Sequence, residues 1–380
     1  MSQTSAWQVG INAHLLSREA SYRSAGVHGY IYNLLRQLPA VADGSNLRYT
    51  VFLGRGEVDG ADRLRVIRSA WATDKPVARI LWEQLALPWT RLDLLHSTAF
   101  VSPLVSPWST VVTVYDLSFI HYPACVPPGR RAYLRLLTRL SCHRARRVIA
   151  ISDSTRRDLV QQWGIPASRI IVAYPGVGEQ FRLLPAETVE AFRVQRGLPE
   201  RFILHLGTLQ PRKNLVRLIQ AYRRLRTNGS AAKLVLAGGK GWHYHQVLVE
   251  IEKLDLRSDV LLPGFVAETE LPFWYNAATT LAYPSLYEGF GLPVVEAMAC
   301  HTPVVTSTVS SLPEAAGDAA LLVDPYDTGA LADALHRTLV DDALREEMQA
   351  KGHRHAAGFS WERTATDTVA AYQQALREGR

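Results

Sequence analysis

The stretch that bears most directly on the fold is residues 280–300, which read TLAYPSLYEGFGLPVVEAMAC. Its first residues form a short apolar run that is typical of a buried strand. A loop with two glycines follows, and Pro293 stands where a helix would begin, since a proline costs nothing at the first helical position. The stretch therefore predicts a strand, a glycine loop and a helix in succession, which is the unit of a parallel α/β sheet.

The same alternation of strands and helices continues in both directions along the chain. Strands that alternate with helices need right-handed crossovers and give parallel sheets covered on both faces. We predict an α/β fold with helices at residues 27–38, 129–145, 153–163 and 361–376, and an N-cap for the third of these at Asp153 or Ser154. Strands are predicted at residues 8–11, 49–53, 64–67, 94–96, 111–115, 147–151 and 170–173, and in the second half at 202–206, 233–237, 260–262, 280–282, 304–306 and 320–323.

A change of composition divides the chain into two halves. Prolines and glycines interrupt the periodicity around residues 175–199, as they do in linkers, and 380 residues suit two to three domains. We predict a first domain at residues 1–178, a linker at 179–198, a second domain at 199–358 and a final helical segment at 359–380. Two doubly wound domains would face each other across a cleft and bind ligands at the carboxyl ends of their strands.

Composition excludes several classes of protein. A hydrophobic fraction of 47% with 20% charged residues indicates an ordered globular chain. No apolar run is long enough to span a membrane, no secretory signal is recognisable at the N-terminus, and three widely spaced cysteines indicate the reducing cytoplasm. The net charge of +7 favours anionic partners, which at this point include phosphate esters, anionic lipids and nucleic acid.

Two segments carry the candidate chemistry. In the first, Gly289 and Gly291 allow a ligand to approach the backbone, and the following helix start favours an anion. Glu288 lies in the loop. Glu296 lies one turn into the helix, where its negative charge could equally interact with the helix dipole. In the second, residues 206–215 read LGTLQPRKNL, and they place Arg212 and Lys213 at the carboxyl edge of the sheet. Such a cation pair suits a phosphate, although a solvated surface is the alternative.

Both segments resemble the signature of the family four retaining glycosyltransferases, in which Glu-Gly-Phe-Gly-Leu is followed by a glutamate eight positions after the first. The resemblance implies the GT-B architecture of two Rossmann-like domains and a nucleoside diphosphate sugar as donor. It implies that Glu288 faces the donor sugar, that Glu296 binds the ribose, and that Arg212 and Lys213 stabilise the leaving diphosphate. The diphosphate would also contact the backbone of the run Gly289, Phe290, Gly291 and Leu292.

The first half resembles the same family more weakly. Gly26 matches the glycine loop that closes over the donor phosphates, and Asp116 is a catalytic candidate on the acceptor side. Tyr115 stands where the family usually has histidine, and a tyrosine is a poor base at neutral pH. His96, at the end of another strand, is a candidate for the acceptor side or for a structural role. Thr208 stands where the family often has a further arginine, so that phosphate contact is expected to be missing or replaced.

The implied reaction is transfer of a hexosyl group with retention at the anomeric carbon. Residues 208–213 and 290–296 are similar to those of mannosyltransferases that use GDP-mannose, and the acceptor would be a glycan or a lipid-linked sugar of a cell-surface polysaccharide or glycolipid. In similar proteins the last helix crosses back to the first domain. No Asp-x-Asp pair occurs, so we predict no metal site and no cofactor beyond the donor substrate.

The arginines of residues 129–145 suggest where such an enzyme would work. Arg131, Arg135 and Arg139 recur at every fourth position and share a helix face. We expect the leucines at 136, 137 and 140 and Tyr133 to pack against the sheet. The arginine face would then be either a solvated surface or an electrostatic contact with the inner face of the membrane.

Two other functions stay open from the sequence alone. One is a different enzyme on the same architecture, such as a sugar-nucleotide epimerase or a phosphorylase. The other is a basic nucleic-acid-binding protein, which would need clustered charge and aromatic platforms that the scattered tryptophans do not provide. We therefore predict no nucleic-acid partner.

Overall fold

The computed structural model describes residues 6–16, 25–41, 46–54, 64–73, 75–87 and 90–378. The chain divides into two units. The first consists of residues up to Gly176 together with the segment from Trp361 to the C-terminus, and the second runs from Val177 to Ser360.

The first unit is built on a seven-stranded parallel sheet. Its strands are β1 (Trp7–Asn12), β2 (Leu47–Leu53), β3 (Arg65–Arg68), β4 (Leu94–Ser97), β5 (Ser109–Val114), β6 (Arg147–Ala150) and β7 (Ile170–Val172), in the order β3-β2-β1-β4-β5-β6-β7. Its described helices are α1 (Ala25–Val41), α2 (Pro76–Leu85), α3 (Ser118–His121), α4 (Pro128–Arg144), α5 (Asp153–Trp163) and, from the end of the chain, α14 (Trp361–Arg377).

The second unit is built on a six-stranded parallel sheet. Its strands are β8 (Phe202–Leu206), β9 (Lys233–Ala237), β10 (Val260–Gly264), β11 (Thr280–Tyr283), β12 (Val304–Ser307) and β13 (Leu321–Val323), in the order β10-β9-β8-β11-β12-β13. Its helices are α6 (Ala186–Gln195), α7 (Leu215–Thr227), α8 (His245–Lys253), α9 (Leu271–Ala277), α10 (Leu292–Ala299), α11 (Leu312–Ala316), α12 (Thr328–Val340) and α13 (Asp342–Ala356).

The predicted fold class of two parallel, doubly wound α/β sheets is confirmed. Each predicted strand is present, with ends that differ by at most two residues. Buried β-branched and leucine side chains such as Val9, Ile11, Leu204 and Val235 form the centre of each sheet, which explains why short apolar runs were sufficient signals. The predicted N-cap of α5 is wrong by one residue, because the Ser152 hydroxyl accepts the Thr155 N–H at 3.0 Å.

The predicted linker carries structure of its own, and the predicted final helix is present. Residues 179–198, predicted as a linker, include the ten-residue helix α6, which lies in the second unit. Phe192 of that helix stacks on Phe273 at 5.3 Å and meets the edge of Trp274. The final helix α14 lies in the first unit, where Thr364 donates a hydrogen bond to the carbonyl of Tyr174 at 2.6 Å.

The orientation predicted for the arginine-rich helix α4 is wrong for Leu136 and Leu140, whereas Tyr133 and Leu137 are half-buried. Leu136 is 59% exposed and Leu140 is 37% exposed, so neither packs against the sheet. The buried side consists of Thr138, Ser141 and Cys142, small residues that let the helix lie close to the strands. The described helices include none that is long and apolar enough to cross a bilayer.

Candidate functional site

Two loops of the second unit meet at the point where its strand order reverses. One loop follows β8 and the other follows β11, and these strands are neighbours in the sheet. The Leu286 N–H donates to the carbonyl of Arg212 at 2.8 Å, and the Asn214 amide donates to the carbonyls of Pro284 and Pro325 at 3.1 and 2.7 Å. In open α/β sheets this reversal is where ligands bind.

The first loop presents two cations at this edge. Residues 211–213 form one turn of 3-10 helix, and Asn214 then takes a left-handed conformation with φ of 61° before α7 begins. The turn directs Arg212 and Lys213 toward the loop after β11. Lys213 is only 7% exposed, and its ammonium lies over the ring of Tyr283 at 4.6 Å and donates to the hydroxyl of that residue.

Glu288 pairs with both cations. Its two carboxylate oxygens lie 2.8 Å from the Arg212 guanidinium and 2.7 Å from the Lys213 ammonium. Burial alone would raise the pKa of Glu288, but the two positive charges outweigh burial and lower that pKa to about 2. The loop therefore carries a carboxylate that offsets one of the two positive charges, and an incoming diphosphate would compete with it for the cations.

The glycine loop is held by serines from the next strand connection. The Ser311 hydroxyl, fully buried, lies 2.9 and 2.8 Å from the carbonyls of Glu288 and Phe290, and Ser310 accepts the Glu288 N–H at 3.0 Å. Gly291 has φ of 110°, and a Cβ there would lie 2.9 Å from Leu312, so only glycine fits. The side chain of Phe290 packs edge-on against Phe359 at 5.2 Å.

Helix α10 begins at Leu292 directly after this loop, with Pro293 as its second residue. Glu296 lies one turn in and accepts a hydrogen bond from the Tyr275 hydroxyl at 2.8 Å. Burial raises the pKa of Glu296 to about 7 despite that hydrogen bond. Glu288 and Glu296 thus differ in charge state near neutral pH, as groups with separate tasks commonly do.

The candidate residues His96 and Tyr115 form hydrogen bonds with other residues of the first unit. His96 is fully buried, with Nδ1 2.7 Å from the Tyr372 hydroxyl and Nε2 2.8 Å from the Thr113 hydroxyl, and burial lowers its pKa to about 3. Tyr115 is also buried and donates to the carbonyl of Thr98 at 2.8 Å. These two hydrogen bonds give the buried side chain of His96 a structural role in the first unit.

Asp116 and Gly26 remain accessible. Asp116 is half-buried, and one oxygen of its carboxylate accepts the Ser118 N–H at 2.8 Å. Gly26 is exposed at the start of α1, and a Cβ there would meet no atom within 4 Å. The fold thus does not require glycine at that position for packing. Among the described residues, no group of three acidic, histidine or cysteine side chains could hold a metal ion.

Fold and site together define a glycosyltransferase of the GT-B class. The model of the glycosyl transferases group 1 matches residues 188–355, and the model of glycosyltransferase family 4 matches residues 24–181. O-antigen chain mannosyltransferase B of Escherichia coli is 35% identical over 69% of this chain and 70% of its own length. The chain belongs to family four of the glycosyltransferases, and it is a hexosyltransferase.

Further comparisons agree with this assignment. Serotype-specific mannosyltransferase WbdA of Escherichia coli is 30% identical over 71% of this chain, which corresponds to 34% of the longer WbdA. The solved sucrose-phosphate synthase of Thermosynechococcus elongatus has the same fold, with a TM-score of 0.74 and 21% identity over 98% of this chain and 100% of that one. The predicted resemblance and architecture are confirmed.

Several residues of the site escaped the sequence analysis. Tyr275, on a helix without a motif, donates to Glu296, and Tyr283, the last residue of β11, accepts from Lys213, a contact that the motif did not indicate. Ser311 supports the loop from 20 positions downstream of Gly291. The one sequence signal that could have indicated these residues was their position, because polar residues directly after buried strands gather at the carboxyl edge of a parallel sheet.

Proposed function

We propose that the protein transfers a mannosyl group from GDP-mannose to a hydroxyl of a glycan or lipid-linked acceptor, with retention at the anomeric carbon. The observation that supports this most is the pair of Arg212 and Lys213, held by Glu288 beside a glycine loop and a helix N-terminus. The names of the two Escherichia coli relatives favour mannose as the sugar and a cell-surface polysaccharide as the product.

The donor diphosphate binds to the two cations and to the N–H groups at the start of α10. Because the glycosidic bond breaks toward the diphosphate, negative charge grows there in the transition state, where fixed cations stabilise it. Glu288 then leaves its ion pairs and accepts hydrogen bonds from hydroxyls of the donor sugar. Glu296 accepts hydrogen bonds from the ribose hydroxyls, and its carboxylate form accepts them more strongly than the protonated form because both oxygens are charged acceptors.

A thermal-shift series with GDP-, UDP-, ADP- and dTDP-sugars tests the choice of donor. A ligand that binds only the folded protein raises its melting temperature by mass action. We expect the largest rise with GDP-mannose. Incubating that donor without an acceptor, or with inorganic phosphate, distinguishes an epimerase or a phosphorylase from a transferase. A larger shift with another nucleotide would exclude GDP as the preferred carrier.

We predict that transfer needs no divalent metal. The two cations and the helix N-terminus supply the positive field that a metal provides in glycosyltransferases with an Asp-x-Asp pair. Activity measured in EDTA should equal activity in untreated buffer. Loss of activity in EDTA that manganese restores would contradict this prediction.

We also propose that the enzyme works in the cytoplasm and attaches reversibly to the inner face of the membrane through α4. Leu136 and Leu140 lie on the exposed side of that helix beside Arg135 and Arg139, a mixture of apolar and basic residues typical of interfacial helices. Each cation near an anionic surface contributes about 1 kcal/mol, so binding should be sensitive to salt.

Liposome flotation measures this attachment. The wild type should float with vesicles that contain anionic lipid at low salt and should leave them at high salt. An Arg135→Ser/Arg139→Ser variant should lose most of the binding, whereas Arg156→Ser/Arg157→Ser on α5 serves as the matched charge control. If the wild type stays with the unbound fraction at low salt, α4 has no role at a membrane.

A further inference from the structure

An unassigned polar cluster lies in the first unit around His14, two residues after β1. The imidazole is 6% exposed, and neither ring nitrogen has a hydrogen-bond partner among the residues that the structure describes. The Thr73 hydroxyl is 2% exposed and also has none within that part of the chain. Unpaired buried polar atoms are rare in native proteins because they are costly, so a group of them indicates a use beyond folding.

The cluster is held rigidly in place. The His14 ring stacks on Trp82 of α2, with centroids 4.1 Å apart and planes at 29°. The next residue, Glu83, accepts a hydrogen bond from the Asn12 amide at 3.1 Å. At the end of β2, Gly54 leaves space beside both orphaned groups, since a Cβ there would lie 2.6 Å from the Thr73 hydroxyl and 3.8 Å from His14 Nδ1.

The position of the cluster matches that of the cation site in the second unit. In each sheet one strand has its next neighbour in sequence on one side and a later strand on the other, so the strand order reverses there. Arg212 and Lys213 follow the reversing strand β8, and His14 follows the equivalent strand β1. The Thr98 hydroxyl, just after β4, donates to the carbonyl of Asn12 at 2.6 Å and joins the two strand ends.

The charges of the cluster differ from those of the cation site. Burial, helped by the charge of Arg79, lowers the pKa of His14 to about 4, so at neutral pH one ring nitrogen donates and the other accepts. Arg79 lies 3.8 Å from Glu83, and burial raises the pKa of that carboxyl. The neutral imidazole, which can both donate and accept, suits sugar hydroxyls, whereas a phosphate would need cations that no carboxyl group opposes, and Glu83 lies beside Arg79.

We propose that His14, with Thr73, Asn12 and Glu83, forms a subsite for the uncharged sugar of the acceptor, with His14 hydrogen-bonding one or two of its hydroxyls. The inference rests on the proposed function in treating that sugar as an acceptor. It assigns the acceptor contact to the end of β1 and not to His96 of β4, because both ring nitrogens of His96 are already paired.

Binding of methyl α-mannopyranoside, measured by saturation-transfer NMR on the full chain with GDP present to fill the donor site, tests the subsite. The wild type should give a signal that inorganic phosphate does not displace. His14→Phe keeps the stacking on Trp82 but removes both nitrogens, so it should lose the signal without a lower melting temperature. His14→Gln should recover part of it, and in transfer assays the acceptor KM of His14→Phe should rise about tenfold, as for one or two neutral hydrogen bonds.

Three results would overturn the subsite: no signal with the wild type, an equal signal with His14→Phe, or displacement by phosphate. His96→Phe is the matched contrast, because its paired nitrogens make it a stability variant whose melting temperature falls. Failure of the donor assignment is a separate outcome. In that case calorimetry would detect no binding of GDP, while the NMR signal of the glycoside would still depend on His14.

Discussion

Lys213→Met should lower the rate of transfer about 10²- to 10³-fold, the usual loss when one preorganised group is removed from developing negative charge. Methionine keeps most of the unbranched side chain, so the packing over Tyr283 is retained while the ammonium is lost. Because Arg212 still pairs with Glu288, the fold should persist. Steady-state kinetics with GDP-mannose measure the effect.

The control for this variant is Lys253→Met. Lys253 is an exposed residue of α8 whose ammonium lies 3.7 Å from Glu250, far in sequence from both loops of the site. Its substitution should leave transfer unchanged. A Lys213→Met enzyme with wild-type kcat would show that the ammonium does not stabilise the leaving group.

The second large effect separates the two glutamates. Glu296→Ala should weaken GDP binding about ten- to hundredfold, because a hydrogen bond to a charged group contributes about 1.5–3 kcal/mol. Glu288→Ala should leave GDP affinity equal or higher, since the two cations lose a competing carboxylate, yet it should reduce transfer by a similar factor. Calorimetry with GDP, followed by kinetics, measures both. Equal losses of GDP affinity would refute the separate roles.

The pKa of Glu296 gives the same prediction a pH dependence. Its carboxylate accepts hydrogen bonds from the ribose more strongly than its protonated form does, and with a pKa raised to about 7 it is mostly protonated at pH 6. GDP affinity should therefore rise between pH 6 and pH 8 and level off above the pKa. Glu296→Gln should show no such rise, whereas a rise retained in that variant would point to another group.

The parallel sheets could be predicted because each strand is a short buried run between helix signals. The two motifs of the second unit were equally readable, since Gly291 needs a positive φ and Arg212 follows a strand directly. Both features depend only on the local backbone and on neighbouring residues. The chemistry of the two motifs can therefore be predicted before any long-range contact is known.

Other features depend on contacts that no local pattern encodes. The positions of Leu136 and Leu140 on α4 were predicted wrongly because the buried side of the helix consists of Thr138, Ser141 and Cys142, which carry little hydrophobic signal. The pairing of His96 with Tyr372 joins residues 276 positions apart. The cluster at His14 likewise depends on helix α2, whose Trp82 and Glu83 are distant in sequence.

The most direct test of the central claim is analysis of the product formed from GDP-mannose labelled with carbon-13 at the anomeric carbon. The acceptor is an alkyl mannoside, and NMR reports the configuration of the new linkage. We expect an α-linked disaccharide and an equimolar amount of GDP, formed by the wild type and strongly reduced in Lys213→Met. A β-linked product, or no release of nucleoside diphosphate from any of the four nucleotide sugars, would contradict the proposed function.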